Sequence, residues 1–271
     1  MTEQIGPAPH LSVDHLGEGE TVLFLHGIGG NKRNWHANLP AFAEHWHAVA
    51  WDARGYGESD DYDGTLDFLD YSRDITRVLD HFHSPKAHIV GLSMGGRIAL
   101  DFAALYPDRL LSLTLCDTHT GFSHFSEEKK REFIRLRKEP LEKGLSPRDI
   151  AVPVARSLCG PNVSPEAFAA LVDSLSRLHK DSYIKCIEAS TFAGVHGRLG
   201  DIKVPTHVIV GSEDKLTTPD MCHAMAREIP GAHYSVIQDA GHLVNIEQPA
   251  EFNAIAINFL KSLNAKPDSL D

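Results

Sequence analysis

A chain of 271 residues, 42% hydrophobic and 23% charged, has the size and composition of one large globular domain, or of one domain carrying a sizeable insertion. Its formal net charge of −11 argues against general binding to nucleic acid. No apolar run approaches the ~18 to 20 residues that a membrane span needs.

The opening stretch MTEQIGPAPH has neither the basic region nor the apolar core of a secretory signal. The four cysteines (Cys116, Cys159, Cys186, Cys222) lie far apart, with no Cys-x-x-Cys pair. Free thiols in the reducing cytoplasm are the expectation.

In chain order, MTEQIGPAP is expected to be disordered. Short aliphatic or β-branched runs then read as strands: TVLFLH (21–26), HAVAWD (47–52), AHIVG (87–91), LLSLTLC (110–116), THVIVG (206–211) and HYSVIQ (233–238). Helical patterns separate them. In the last, Phe252, Ile255, Ala256, Phe259, Leu260 and Leu263 follow the spacing of one buried helix face. The closing NAKPDSLD is again expected to be disordered. This alternation predicts an α/β doubly wound, mostly parallel sheet.

The rhythm breaks between about Thr118 and His196, where the pattern is helical, charged and punctuated by five prolines, from Pro140 to Pro165. We read residues 118–196 as a helical cap inserted between two strands of a core formed by 1–117 and 197–271. At the carboxyl ends of parallel strands such an insertion would overlie the place where these sheets bind ligands.

Gly91-Leu92-Ser93-Met94-Gly95 follows a strand and opens a helix, the context required of a nucleophile elbow. A serine on so sharp a turn is held in a strained conformation, and the flanking glycines remove side chains that would collide. Its hydroxyl projects above the sheet, where the helix N-terminus aims free N–H groups at developing negative charge. Serine is a weak nucleophile, so it needs a base, and the base needs an orienting carboxylate. Downstream lie VGSEDKLTTP, with Asp214 just past a strand, and DAGHLVNIEQP, with His242 before the final helix.

With the order Ser, Asp, His, the chain resembles the α/β-hydrolase superfamily over nearly its whole length. The resemblance implies Ser93 as nucleophile, His242 as general base and Asp214 as the residue that holds the imidazole. FLHGIGGNKRNW resembles the family's His-Gly oxyanion loop, which would make the backbone N–H groups of Ile28 and Met94 the oxyanion donors. WDARGYGESD resembles the Asp-x-Arg-Gly-x-Gly-x-Ser signature, to which we give a structural role. Asp117 also ends a strand, where some members of this fold carry the acid; Asp214 sits in the fuller motif and is preferred.

Candidates for the substrate pocket are Trp35 beside the oxyanion loop, His119 and His124 just past a strand, and Arg135, Arg137 and Arg156 in the insertion. A guanidinium fork suits a substrate carboxylate, although the basic run among the acidic residues from Glu127 to Glu142 also reads as a solvated, ion-paired helix face. The His-x-His pairs at 45–47 and 81–83 are assigned structural roles, because zinc needs a third ligand and a shaped site. No phosphate loop is present and nothing implies a nicotinamide or flavin, so neither cofactor nor metal is expected.

Within the superfamily, GLSMGG and KVPTHVIVGSEDKLTTP look most like the small enol-lactonase and carboxylesterase members. An elbow serine disfavours the dehalogenase and epoxide-hydrolase branches, which carry aspartate there. The expected activity is hydrolysis of a small carboxylic ester or lactone through an acyl-enzyme. All three tryptophans (35, 46 and 51) precede the elbow, a departure from the cap tryptophan expected of an enol-lactonase. A C–C bond hydrolase of ring-cleavage products, a cofactor-free perhydrolase and a small-molecule receptor on the same fold are the alternatives.

Overall fold

The computed structural model describes residues 1–122 and 125–264. Eight strands form one sheet: β1 (Thr2–Ile5), β2 (Leu11–Leu16), β3 (Thr21–Leu25), β4 (His47–Trp51), β5 (Ala87–Leu92), β6 (Leu110–Cys116), β7 (Thr206–Gly211) and β8 (His233–Ile237). Their order across the sheet is β1-β2-β4-β3-β5-β6-β7-β8. Every pairing from β4 through β8 is parallel, while β1 and β2 are antiparallel to their neighbours.

All residues of β3, β5 and β7 are buried. Strands covered on both faces are apolar throughout rather than alternating, which is why they read as unbroken runs in the sequence. Helices α1 (Leu39–Ala43), α2 (Asp70–His81), α3 (Met94–Leu105), α8 (Pro219–Glu228), α9 (Val244–Glu247) and α10 (Pro249–Asn264) belong to this layered body. Phe252 and Phe259 of α10 carry its buried stripe. This is the α/β architecture with a mostly parallel sheet that the alternation predicts.

Two expectations at the ends are corrected or fall elsewhere. The first residues are ordered: β1 pairs with β2 from Thr2↔Asp14 to Ile5↔Leu11 and adds an antiparallel edge. Its backbone finds partners that its polar sequence does not advertise. The closing stretch lies outside the described residues beyond Asn264.

Between β6 and β7 run four helices: α4 (Glu127–Glu142), α5 (Pro147–Leu158), α6 (Pro165–Ser176) and α7 (Lys180–Phe192). Ser126 and Ser164 cap α4 and α6 by accepting from backbone N–H groups three residues on. Among the described residues no helix is long and apolar enough to cross a membrane.

The stretch 51–60 fixes the turn after β4. Both Asp52 carboxylate oxygens accept backbone N–H groups, from Lys32 at 2.6 Å and Glu58 at 2.8 Å. Arg54 grips the buried Asp74 through Nε and Nη2 at 2.6 and 2.8 Å. His26 ties the loop after β3 to this turn, its Nε2 accepting from Ala53 N–H at 3.1 Å. Burial lowers its pKa to about 4, leaving the neutral ring that can accept.

One histidine of each pair bonds a neighbouring side chain. His47 meets His15 at 3.0 Å and His81 bonds Glu3 at 2.8 Å. Among the described residues no group of three or more His, Cys, Asp or Glu side chains is arranged to hold a metal ion.

Candidate active site

Ser93 joins β5 to α3 with φ 53° and ψ −111°, a region that costs a non-glycine residue on the order of 1–3 kcal/mol. The turn closes only because its neighbours lack side chains. A Cβ on Gly91 would stand 2.4 Å from the Gly95 carbonyl oxygen, and one on Gly95 would stand 2.3 Å from that of Leu25. Bonds from Ser93 N–H to the Cys116 carbonyl (2.8 Å) and from the Thr118 hydroxyl to the Ser93 carbonyl (2.6 Å) brace the turn from β6.

The three residues of the expected triad meet in one line. His242 Nε2 lies 2.9 Å from Ser93 Oγ, and its Nδ1 lies 2.8 Å from Asp214 Oδ2. Asp214 is fixed in turn by its own loop: Oδ1 accepts from Leu216 and Thr217 N–H, and Oδ2 accepts the Thr217 hydroxyl at 2.5 Å. Burial pushes the Asp214 carboxyl up, but the bond to His242, its charge and the Thr217 donors outweigh this and hold it below the usual range. Burial pushes His242 down, but Asp214, with weaker help from Asp117 and Glu247, raises it above its ordinary value. The arrangement therefore favours an imidazole that holds a proton well once it has taken one.

Asp117 occupies different ground. It sits at φ 44° just past β6, and its two oxygens accept from Gly211 N–H (2.9 Å) and Val244 N–H (3.1 Å). Burial, and then the Asp214 charge, push its carboxyl up to about 8.

Ser93 and His242 open into a cavity of about 260 Å³ whose floor includes Ile28 and Met94 and whose far wall comes from α4 to α7. The N–H of Met94, first in its helix, has no intrahelical acceptor. Gly27 lets the loop close on the elbow, since a Cβ there would already be 3.1 Å from Ser93 Cβ. A larger concavity of about 820 Å³ runs along α3 and residues 194–202, but none of Ser93, Asp214 and His242 lines it.

An alpha/beta hydrolase family model matches residues 22–255. The chain belongs to the alpha/beta hydrolase family. This hydrolase is 28% identical over 247 residues to 3-oxoadipate enol-lactonase 2 of Acinetobacter baylyi, covering 90% of this chain and 89% of that protein. It is 29% identical over 272 residues to a 2-hydroxy-6-oxononadienedioate/2-hydroxy-6-oxononatrienedioate hydrolase of Klebsiella pneumoniae, covering 94% and 92%. Among solved structures, a thermophilic esterase from Thermogutta terrifontis superposes with a TM-score of 0.88 at 27% identity, over 98% of this chain and all of that one.

The pocket candidates of this hydrolase divide. His119 and Arg137 line the cavity. His124 lies outside the described residues. Trp35 does not reach the cavity: it is fully buried, its ring 5.0 Å from Phe24 and 5.9 Å from Phe252 of α10, because the loop after β3 turns it into the sheet's packing. Arg135 points to solvent, paired with Glu132 at 2.7 Å and with Glu139, on the ion-paired face of α4. Arg156 is exposed on α5, its guanidinium 4.1 Å from the Phe168 ring centre, and is absent from the cavity wall.

Sequence reasoning missed Arg97, Tyr183, Thr217 and Glu247. Arg97 lies one turn after Ser93 on α3, a spacing that places both on one helix face. Its guanidinium donates to the Ser190 and Ala193 carbonyls at the end of α7. Thr217, three residues after Asp214, carried a readable signal, since Asp side chains bond backbone N–H groups two or three residues on. Tyr183 and Glu247 carried none.

Proposed function

We propose that the protein is a serine hydrolase that cleaves a small carboxylic ester or lactone. Ser93 Oγ attacks the carbonyl carbon while His242 Nε2 takes the hydroxyl proton, and Asp214 holds the ring and balances the imidazolium. The oxyanion rests on the N–H groups of Ile28 and Met94. Collapse expels the alcohol, or the ring oxygen of a lactone, which receives the proton from His242. Water then enters, gives a proton to His242 and hydrolyses the acyl-enzyme, restoring Ser93 and releasing the acid. The single observation that carries this reading is the continuous Ser93–His242–Asp214 contact opening into the cavity.

We take residues 118–196 as the cap over this site and the cytoplasm as its location. We also infer a substrate whose acid portion bears a carboxylate. Two arginines and no acidic residue are among the described residues lining the cavity. Arg137 is half-buried with its guanidinium 3.4 Å from the Phe133 ring centre, and among the described residues it has no carboxylate within ion-pair distance. Burial lowers its pKa from the ordinary arginine value, so an anion brought to it gains strongly from pairing. The same feature favours a second reading, hydrolysis of a C–C bond in a dienedioate, the kind of substrate named for the Klebsiella pneumoniae relative.

The experiment is a turnover screen of p-nitrophenyl esters, simple lactones and ring-cleavage dienoates, with and without a carboxylate, run beside Ser93→Ala. The reading expects turnover of an ester or lactone and a loss of at least ~1000-fold in the variant. Turnover of dienoates alone selects the second reading. A wild type inert to every class, or a variant that keeps its rate, refutes both.

A further inference from the structure

The loop carrying His242 is stitched to the inserted helices as well as to the sheet. His242 N–H donates to the Leu158 carbonyl at the end of α5 (2.8 Å). Two residues on, Gly160 N–H donates to Glu247 Oε2 at 2.7 Å. The other oxygen of Glu247 accepts from Gly241 (3.1 Å) and Leu243 (3.3 Å), the residues on either side of His242. The two backbones touch: a Cβ on Gly241 would stand 2.3 Å from Gly160 N.

Glu247 is 7% exposed, and among the described residues no lysine or arginine lies within ion-pair distance. Burying a carboxylate without a cation is costly. A turn could be closed by a neutral acceptor at lower cost. What the carboxylate adds is acceptor capacity on both oxygens, which a glutamine lacks, and a negative charge beside the group that becomes positive in the reaction.

We propose that Glu247 is a positioning residue for His242, locking the loop of the base to the inserted segment at Gly160 and supporting with its charge the imidazolium formed when Ser93 is deprotonated. The proposal rests on the serine-hydrolase reading above. Other groups face His242: Asp214 after β7, Asp117 after β6 and the hydroxyls of Ser93 and Thr217. From the segment after α5, Cys159 approaches Glu247; burial pushes its thiol up, so it stays neutral.

The test titrates the full chain labelled with 15N-histidine by NMR, wild type against Glu247→Gln, with His242 assigned by its loss in His242→Gln. kcat and KM on p-nitrophenyl acetate are followed over the same pH range. Removing a nearby negative charge lowers a histidine pKa, so His242 should titrate at lower pH in Glu247→Gln. kcat should fall by on the order of 10- to 100-fold, with KM within about 2-fold. An unmoved His242 titration overturns the proposal, whether or not kcat falls, because a merely structural residue would leave the charge balance of the base untouched.

If Glu247→Gln does not fold, Gly160→Ala decides. Its methyl would press within 3.2 Å of Glu247 Oε2 and 3.0 Å of Gly241 N while keeping the charge. A fall in kcat with the His242 titration in place supports the lock, and an unchanged kcat overturns it. Because the titration reads the imidazole rather than turnover, it still reports on Glu247 if the wild type hydrolyses no ester. In that case the serine-hydrolase reading fails separately.

Discussion

Asp117 and Asp214 follow neighbouring strands of the sheet, yet only Asp214 bonds the His242 imidazole; Asp117 spends both oxygens on the backbone N–H groups of Gly211 and Val244. One carboxylate orients the imidazole and the other holds together the loops around it. Asp214→Asn should lower kcat by on the order of 10³- to 10⁴-fold, because the amide no longer secures the ring tautomer or its charge. Asp117→Asn should keep activity within about 10-fold, at a stability cost of about 1–3 kcal/mol for the mismatched buried acceptor. Steady-state kinetics on both variants checks the pair, and the reverse pattern would move the acid to Asp117.

Stability should depend on pH through Asp117. Its folded pKa is raised to about 8, while an unfolded aspartate titrates near ~3.9. Between those values the native state keeps a proton that the unfolded state has released, so its contribution falls as pH rises through the window. Asp117→Asn has no such proton to lose. The Tm gap between wild type and this variant should narrow from pH 6 to pH 9, and a gap that widens would contradict the assignment.

Activity should fall on the acid side because protonated His242 cannot take the Ser93 proton. Its pKa is raised, mainly by Asp214 against the opposing effect of burial. The acid limb of kcat/KM therefore lies above the ordinary histidine value of ~6.5. A pH–rate profile of the wild type measures it directly.

Arg137 should set the preference for anionic substrates. A charge-assisted bond is worth about 1.5–3 kcal/mol, roughly 10- to 100-fold. Arg137→Gln should cost that much in kcat/KM for a carboxylate-bearing ester and little for its neutral methyl analogue. Arg135→Gln, which alters only the solvent face of α4, should leave the ratio unchanged.

Trp35 should matter for stability and not for selectivity. Trp35→Ala removes a fully buried indole, at a cost of about 3–5 kcal/mol. Trp35→Phe should lower Tm while leaving the ratio of kcat/KM between substrates unchanged. A changed ratio would return the indole to the cavity wall.

What could be read along the chain was what short-range sterics and periodicity dictate. Gly91 and Gly95 around Ser93 encode a turn within five residues, because any Cβ there collides with local backbone. The apolar runs of β3, β5 and β7 encode strands covered on both faces. Thr2–Ile5 was illegible for the opposite reason: three polar residues, none of them buried, and a single buried isoleucine form an edge strand only because β2 offers them a partner.

By itself, then, the sequence determined the strand–turn–helix of the elbow, the order of Ser93, Asp214 and His242, and the helical insertion before β7, since each rests on contacts close in sequence or on a repeating apolar face. Only the tertiary structure decided the chemistry of the cavity. Arg135 and Arg137 are two residues apart on α4, about 200° around a helix of ~3.6 residues per turn, and which of them faces the cavity depends on how α4 packs against α7. Glu247 carries no local mark at all; its three N–H partners come together only when residues 158–160 close onto the His242 loop.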